Sequence, residues 1–244
     1  MSCAIEILSF QNLYEVLKTC SAGRKDFFDT LSIGPVKGGP VRGSTMDKII
    51  TISREYGAGG HIIGQQVAKE LGITFYDRDI LKETVKTSGF DPDMVERDQE
   101  DVSSTNFFLK SICSFSDASF SDTQNAIHDV QKAVILHFAR KGPCVILGRC
   151  ADEILREAGV ESLNVFIHAD AAHRMDRARE LTGCADAGEL HKLIAKKDNS
   201  RHTYYSHYTG KKWGDSHNYH LVLDSGKLGY ALCAKLILEA ARGE

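Results

Sequence analysis

The sequence lacks a basic excess, paired-cysteine motifs and long apolar runs. Lysine and arginine number 30 against 33 acidic residues, which gives a net charge of −3 and argues against general nucleic-acid binding. The seven cysteines are scattered without CxxC spacing, so we expect neither a zinc site nor a thioredoxin-like site. This cysteine usage predicts a reducing, cytoplasmic environment. Because no apolar run approaches the roughly 20 residues that span a bilayer, we expect no membrane partner.

The chain divides into an N-terminal extension, residues 1–45, and a regular α/β segment, residues 46–244. The extension ends in SIGPVKGGPVRGST, whose glycine and proline content is typical of a linker. We interpret it as flexible, or as upstream of a natural start at Met46. A small docking helix is the alternative.

Short apolar strands alternate with amphipathic helices in the α/β segment, and this predicts an α/β fold with a parallel sheet and helices on both faces. The predicted strands are residues 48–53, 73–77, 143–149, 163–169 and 220–226. The predicted helices are residues 61–71, 78–89, 123–141, 151–159, 171–181, 187–197 and 229–242. We interpret the Phe/Ser-rich stretch 105–120 as an insertion, for which no function follows from the sequence.

A glycine-rich turn, Gly57–Gly60, lies between the first strand and the first helix. Glycine allows positive φ angles and close approach of the backbone to a ligand. The N-terminus of the following helix offers free N–H groups and a positive dipole end to an anion. The turn therefore predicts a phosphate site; a tight turn without a ligand is the alternative.

The turn matches the P-loop pattern GxxxxGK[ST] only in part. With Gly59 as the final glycine, Arg54 stands at the first glycine, Gly60 at the lysine and His61 at the Ser/Thr. The lysine that holds the β- and γ-phosphates and the magnesium-binding hydroxyl are therefore missing.

The dinucleotide pattern GxGxxG also matches in part. Gly57 and Gly59 fit it, whereas Ile62 stands at the third glycine. Asp77 lies near the acidic position expected about 20 residues further on. The turn by itself thus leaves both a kinase-like site and a Rossmann dehydrogenase open.

Two features of the C-terminal half indicate bound phosphate. Arg149 follows a buried strand, at the strand end where open α/β sheets bind ligands; a surface salt bridge is the alternative. Residues 192–215 interleave basic and aromatic side chains, which predicts a basic lid over phosphates; a solvated helix face is the alternative. The basic residues are Lys196, Lys197, Arg201, Lys211 and Lys212.

The chain resembles the cytidylate-kinase-like proteins, a branch of the nucleoside monophosphate kinases. The resemblance runs from Asp47 to the C-terminus. It implies a P-loop fold with a helical lid, ATP and phosphate-held Mg²⁺ as cofactors, nucleotide substrates such as CMP, and a cytoplasmic monomer or homodimer. It rests on the segments SREYGAGGHIIG, FYDRDIL, VILGRCADEIL, NVFIHAD, DNSRHTYYSHYTGKKWGD and HLVLDSGKLG.

The resemblance also implies roles for single residues. Asp77 matches the aspartate that opens the monophosphate-binding segment, Arg149 the arginine that contacts the acceptor, and Arg201 a lid arginine. Cys150 replaces the aspartate that follows this arginine in cytidylate kinases, which weakens the case for cytosine recognition. The residues implied for the donor-phosphate loop are Gly57, Ala58, Gly59, Gly60 and His61.

Without a loop lysine, other cations must neutralise the transferred phosphoryl group. We expect this charge from Arg54, Arg149, Arg201, Lys211 and Lys212. Two alternatives are a protein that binds a nucleotide without catalysing transfer, and a Rossmann oxidoreductase. No structural metal is predicted, since the histidines lack HxxxH spacing with a nearby acid.

Overall fold

A computed structural model describes residues 48–77 and 120–243. The predicted extension 1–45, the predicted helix 78–89 and residues 105–119 of the predicted insertion lie outside these ranges. Every predicted strand is present in the structure. The strands are β1 (Ile49–Arg54), β2 (Thr74–Tyr76), β3 (Cys144–Leu147), β4 (Ser162–His168) and β5 (Leu221–Asp224).

Helices follow most strands of the described ranges, as the apolar periodicity predicts. No helix there is long and apolar enough to cross a membrane. The helices are α1 (Gly60–Leu71), α2 (Phe120–Lys141), α3 (Ala151–Glu157), α4 (Ala171–Thr182), α5 (Ala187–Thr209), α6 (Ser225–Leu228) and α7 (Tyr230–Arg242), with a 3₁₀ turn at Ser216–Asn218.

All strand pairs are parallel, in the order β2-β3-β1-β4-β5. Strand β3 lies directly beside β1, with Ile52 opposite Leu147. In the classic dinucleotide-binding order, β2 is the neighbour of β1. The Rossmann alternative is therefore wrong, because here β3, and not β2, is the neighbour of β1.

The sheet is covered on both faces, and alternate residues of each strand point to opposite layers. On β1, Ile50 and Ile52 pack with α1 and α7, whereas Ile49 packs with α2 and α3. Ile50 and Ile52 have no exposed surface. Burial of a side chain of this size stabilises the fold by about 1.5–3 kcal/mol.

The segment predicted as a lid, residues 192–215, forms all but the first turn of α5 and the residues that follow the helix. The buried Tyr205 hydroxyl donates to Asp152 Oδ2 at 2.7 Å, and Trp213 packs edge-on against Phe166 with ring centroids 5.3 Å apart. Burial raises the pKa of Asp152, and the Tyr205 hydrogen bond opposes that shift. In this conformation the aromatic residues of the segment are part of the protein body.

Gly57 is held in a position that tolerates no larger residue. Its φ is +82°, and an added Cβ would lie 2.7 Å from the carbonyl oxygen of Arg174. Gly72 also has a positive φ, +66°, but a Cβ there would meet nothing within 4 Å. A comparison of substitutions at the two glycines therefore distinguishes the cost of backbone strain from the cost of a steric clash.

We predict that Gly57→Ala lowers the free energy of unfolding by at least about 2 kcal/mol more than Gly72→Ala. Both variants carry the strain of positive φ, but only Gly57→Ala forces the loop away from α4. Urea unfolding followed by circular dichroism measures the difference. Equal destabilisation would mean that the Gly57–Arg174 approach is not a constraint.

Candidate functional site

The site lies at the carboxyl edge of the sheet, where β1 ends between β3 and β4. The chain turns to one side of β1 to form β2 and β3, and to the other side to form β4. Such a switch point creates a crevice in which open α/β sheets bind ligands. Residues 55–59, between β1 and α1, are called the glycine loop below.

Two carbonyl groups of the glycine loop accept hydrogen bonds from protein side chains, whereas the N–H groups from its last residue into α1 are free. Arg174 Nε donates to the Tyr56 carbonyl at 2.8 Å, and Ser225 Oγ donates to the Ala58 carbonyl at 2.7 Å. The N–H groups of Gly59, Gly60 and His61 donate to no acceptor within the described ranges. Free N–H groups at the start of a helix are an anion-binding arrangement.

An ion pair between α4 and α5 holds the first half of the loop. Arg174 pairs with Asp198 and with Glu55 Oε2 at 3.1 Å. Asp198 Oδ1 in turn accepts from the Tyr56 N–H at 2.8 Å. Sequence reasoning missed Arg174, which has no motif around it; Asp198 stands inside the DNSRH segment but was not singled out.

Arg54 crosses the site from β1 to the end of β3. An added Cβ on Gly60 would lie 2.8 Å from Arg54 Cβ and Cγ, and one on Gly148 would collide with Arg54 Nη1. Arg201 Nη1 donates to the Arg54 carbonyl at 3.1 Å. Burial and then the charge of Arg201 lower the pKa of Arg54 to about 9, with Arg149 acting in the same direction and Asp77 against it.

The structure therefore gathers three arginines from distant parts of the chain, here called the arginine cluster: Arg54, Arg149 and Arg201. Burial lowers the pKa of Arg201, and the charge of Asp198 opposes this. Guanidinium groups nevertheless stay protonated in proteins. Gathering such groups out of water costs free energy, which an anion bound among them offsets.

Arg149 lies in a turn of three left-handed residues. The φ angles are +76° at Gly148, +61° at Arg149 and +54° at Cys150. For the two non-glycine residues this costs about 1–2 kcal/mol each, and such strain is found mainly at binding and catalytic sites. The turn ends β3 and begins α3, so it fixes Arg149 at the carboxyl edge of the sheet.

Cys150 takes no part in ligand binding through a thiolate. It is 5% exposed and precedes the first turn of α3. Burial raises the pKa of its thiol well above the usual range, so the group is neutral. A buried thiol stands at the position where the family resemblance implied an aspartate.

His61 and Asp77 form a close pair beside the loop. His61 Nδ1 lies 2.7 Å from Asp77 Oδ2, and the edge of its ring packs against Phe75 with centroids 5.2 Å apart. The charge of Asp77 also raises the pKa of Arg54, against the lowering effect of burial. The structure thus brings Asp77, predicted from the family resemblance, next to the loop and the arginine cluster.

Of the two predicted lysines, Lys211 forms an ion pair with a residue outside the arginine cluster. Lys211 Nζ donates to Glu153 Oε2 at 2.7 Å, and Arg156 and Lys211 together lower the pKa of Glu153 to about 2. Lys212 is exposed. Their roles in catalysis stay predictions.

The described ranges hold no group of three His, Cys, Asp or Glu side chains that could bind a metal ion. Mg²⁺ that is bound together with a nucleotide does not need such a group, because it usually keeps several water ligands and binds phosphate oxygens.

The model of the cytidylate kinase-like family matches residues 49–227. The chain belongs to the cytidylate kinase-like family. This confirms the resemblance drawn from the motifs, and it supports a kinase-like, nucleotide-binding protein. No curated protein sequence matches the chain.

Solved structures show similarity over most of the chain. An uncharacterized protein from Eubacterium ventriosum is 25% identical with a TM-score of 0.61, covering 81% of this chain and 99% of that one. Shikimate kinase from Bacteroides thetaiotaomicron is 12% identical with a TM-score of 0.46, covering 79% and 97%. Shikimate kinase from Aquifex aeolicus is 15% identical with a TM-score of 0.41, covering 80% and 96%.

We predict that Arg174→Gln destabilises the protein by about 2–4 kcal/mol, because it leaves Asp198 and the Tyr56 carbonyl without their partner. Arg177→Gln is the matched control on the same helix. Arg177 pairs at 2.7 Å with Glu180, whose side chain is 65% exposed, so its loss costs below about 1 kcal/mol. Thermal unfolding compares the two, and similar losses would contradict a loop-holding role for Arg174.

Proposed function

We propose that the protein transfers the γ-phosphoryl group of ATP to a small acceptor, for which the family suggests a nucleoside monophosphate such as CMP. The observation that carries the proposal is the arginine cluster at the carboxyl edge of the sheet, whose Arg54 side chain lies against Gly60, beside the free N–H groups at the start of α1. Phosphoryl transfer needs positioning and charge neutralisation more than covalent chemistry. Both are available at this edge of the sheet.

Arg54 is the residue best placed to supply the charge that a P-loop lysine provides elsewhere. Gly60 stands at the lysine position, and the Arg54 side chain lies against it. A guanidinium can bind two phosphate oxygens at once, which suits it to this task. Arg149 and Arg201 would then contact the transferred group and the acceptor.

The loop fits ATP as a phosphate ligand. The N–H groups of Gly59, Gly60 and His61 would hold the donor phosphates, and Ala58 lies between the two positive-φ glycines that shape the loop. Bound ATP supplies the phosphoryl group, and Mg²⁺ neutralises its oxygens. The cytoplasm, where ATP is abundant and thiols stay reduced, is the location that we propose.

A second candidate function is nucleotide binding without transfer. The glycine at position 60 favours this candidate, because the P-loop lysine is missing there and the loss of one transition-state cation costs roughly 10²–10³ in rate. The retained arginine cluster favours catalysis instead.

We predict ATP- and Mg²⁺-dependent transfer in a panel of nucleoside monophosphates and their parent nucleosides, with ATP binding measured by calorimetry. Arg149→Ala should raise the acceptor KM roughly tenfold or more, the value of a charged hydrogen bond, and leave ATP affinity largely intact. Arg179→Ala, which removes a surface pair with Asp176 on α4, is the control.

Three results would contradict the assignment. Binding of ATP without transfer to any acceptor would favour the binding protein. Absence of ATP binding would contradict both candidate functions, phosphoryl transfer and ATP binding without transfer. Equal loss of ATP and acceptor affinity in Arg149→Ala would show that Arg149 does not belong to the acceptor side.

A further inference from the structure

We infer, on the basis of the proposed phosphoryl transfer, that His61 and Asp77 act as the proton acceptor for a hydroxyl group of the acceptor. The nucleophile would then be a hydroxyl oxygen of a small molecule, such as a nucleoside or sugar, and not a phosphate oxygen. Asp77 is the positioning residue and His61 the catalytic one.

The hydrogen bond between the two side chains fixes where His61 can accept a proton. Asp77 Oδ2 lies 2.7 Å from His61 Nδ1, and an ionised carboxylate can only accept, so Nδ1 carries the hydrogen. In the neutral ring the lone pair is then on Nε2. The His61 side chain is 49% exposed and Asp77 22%, which leaves room for a small acceptor at the ring.

The pair lies beside both parts of the proposed phosphate site. His61 is the second residue of α1, directly after the free N–H groups of Gly59 and Gly60. Asp77 follows β2, and its charge acts on Arg54 of β1, as do the charges of Arg149 and Arg201. Of the other described residues, Phe75 packs its uncharged ring against His61.

A base at this position is useful for one class of acceptor only. The phosphate group of a monophosphate has a second pKa of about 6. It is therefore already a dianion at neutral pH and needs no proton acceptor. A hydroxyl group keeps its proton at that pH and is a better nucleophile as the proton leaves. The His61–Asp77 pair therefore favours a hydroxyl acceptor.

The step balances without a further reactant. The acceptor O–H bond breaks and its proton moves to His61 Nε2, while the oxygen forms a bond to the γ-phosphorus. The bond from that phosphorus to the bridging oxygen breaks, and its electron pair stays with ADP. Asp77 stabilises the resulting imidazolium, which later returns its proton to water.

Three variants separate this role from a structural one. His61→Asn keeps an amide N–H near the Nδ1 position and removes Nε2. Asp77→Asn converts the acceptor into a group that can donate, which favours the hydrogen on Nε2. His217→Asn is the matched control, because His217 Nδ1 lies 2.8 Å from Asp215 Oδ1 in a pair that is 92% and 39% exposed.

The experiment measures ATP-dependent phosphorylation of matched pairs, each nucleoside against its monophosphate, together with any transfer to water in the absence of an acceptor. We expect His61→Asn and Asp77→Asn to lower kcat for hydroxyl acceptors and water roughly 10²-fold or more, with ATP affinity unchanged. His217→Asn should behave as wild type.

The inference and the proposed function fail differently. ATP binding with transfer only to monophosphates, at a rate that His61→Asn leaves unchanged, would overturn the inference and leave the kinase assignment intact. ATP binding without transfer to any acceptor or to water would overturn both. If His61→Asn lost ATP affinity in proportion to its loss of rate, the inference would be overturned, because the pair would then serve to bind the donor phosphates.

Discussion

The contact on which the site depends is the ion pair between Arg174 on α4 and Asp198 on α5. Both partners also hold the backbone of Tyr56, Arg174 at its carbonyl and Asp198 at its N–H. The pair thus joins two helices to the loop that follows β1. Asp198 and Arg201 are three residues apart on α5, so the contact that fixes the loop also fixes one arginine of the cluster.

Ser225 supports the loop from the other side. Its buried hydroxyl lies 2.7 Å from the Ala58 carbonyl and 3.1 Å from the carbonyl of His168, at the end of β4. With the carbonyls of Tyr56 and Ala58 both held by protein groups, the N–H groups at the start of α1 remain as the polar surface of the loop. The loop keeps this shape through protein contacts alone, so an anion would meet a surface that is already arranged for it.

Strands, helices and the glycine turn were predictable because each has a local pattern of a few residues. The contacts that hold the turn were not, because Arg174 and Ser225 reach Tyr56 and Ala58 across 118 and 167 residues of chain. The order of the sheet also lay beyond local patterns, and only the position of β3 beside β1 decided against the dinucleotide-binding alternative. The aromatic residues after Arg201 pack in the protein body in this conformation, which sequence spacing did not indicate, and the lid stays a prediction.

Two residues that depart from the P-loop pattern, Gly60 and His61, each contact a side chain from elsewhere in the chain. A glycine at position 60 leaves room for the Arg54 side chain, so the lost lysine is matched by a guanidinium that lies against the vacated position. A histidine at position 61 loses the magnesium-binding hydroxyl but gains a hydrogen bond to Asp77. The three clustered arginines repel one another, and this repulsion costs stability in the absence of an anion. The arrangement is therefore the one expected if this edge of the sheet binds phosphate through different side chains, as we propose.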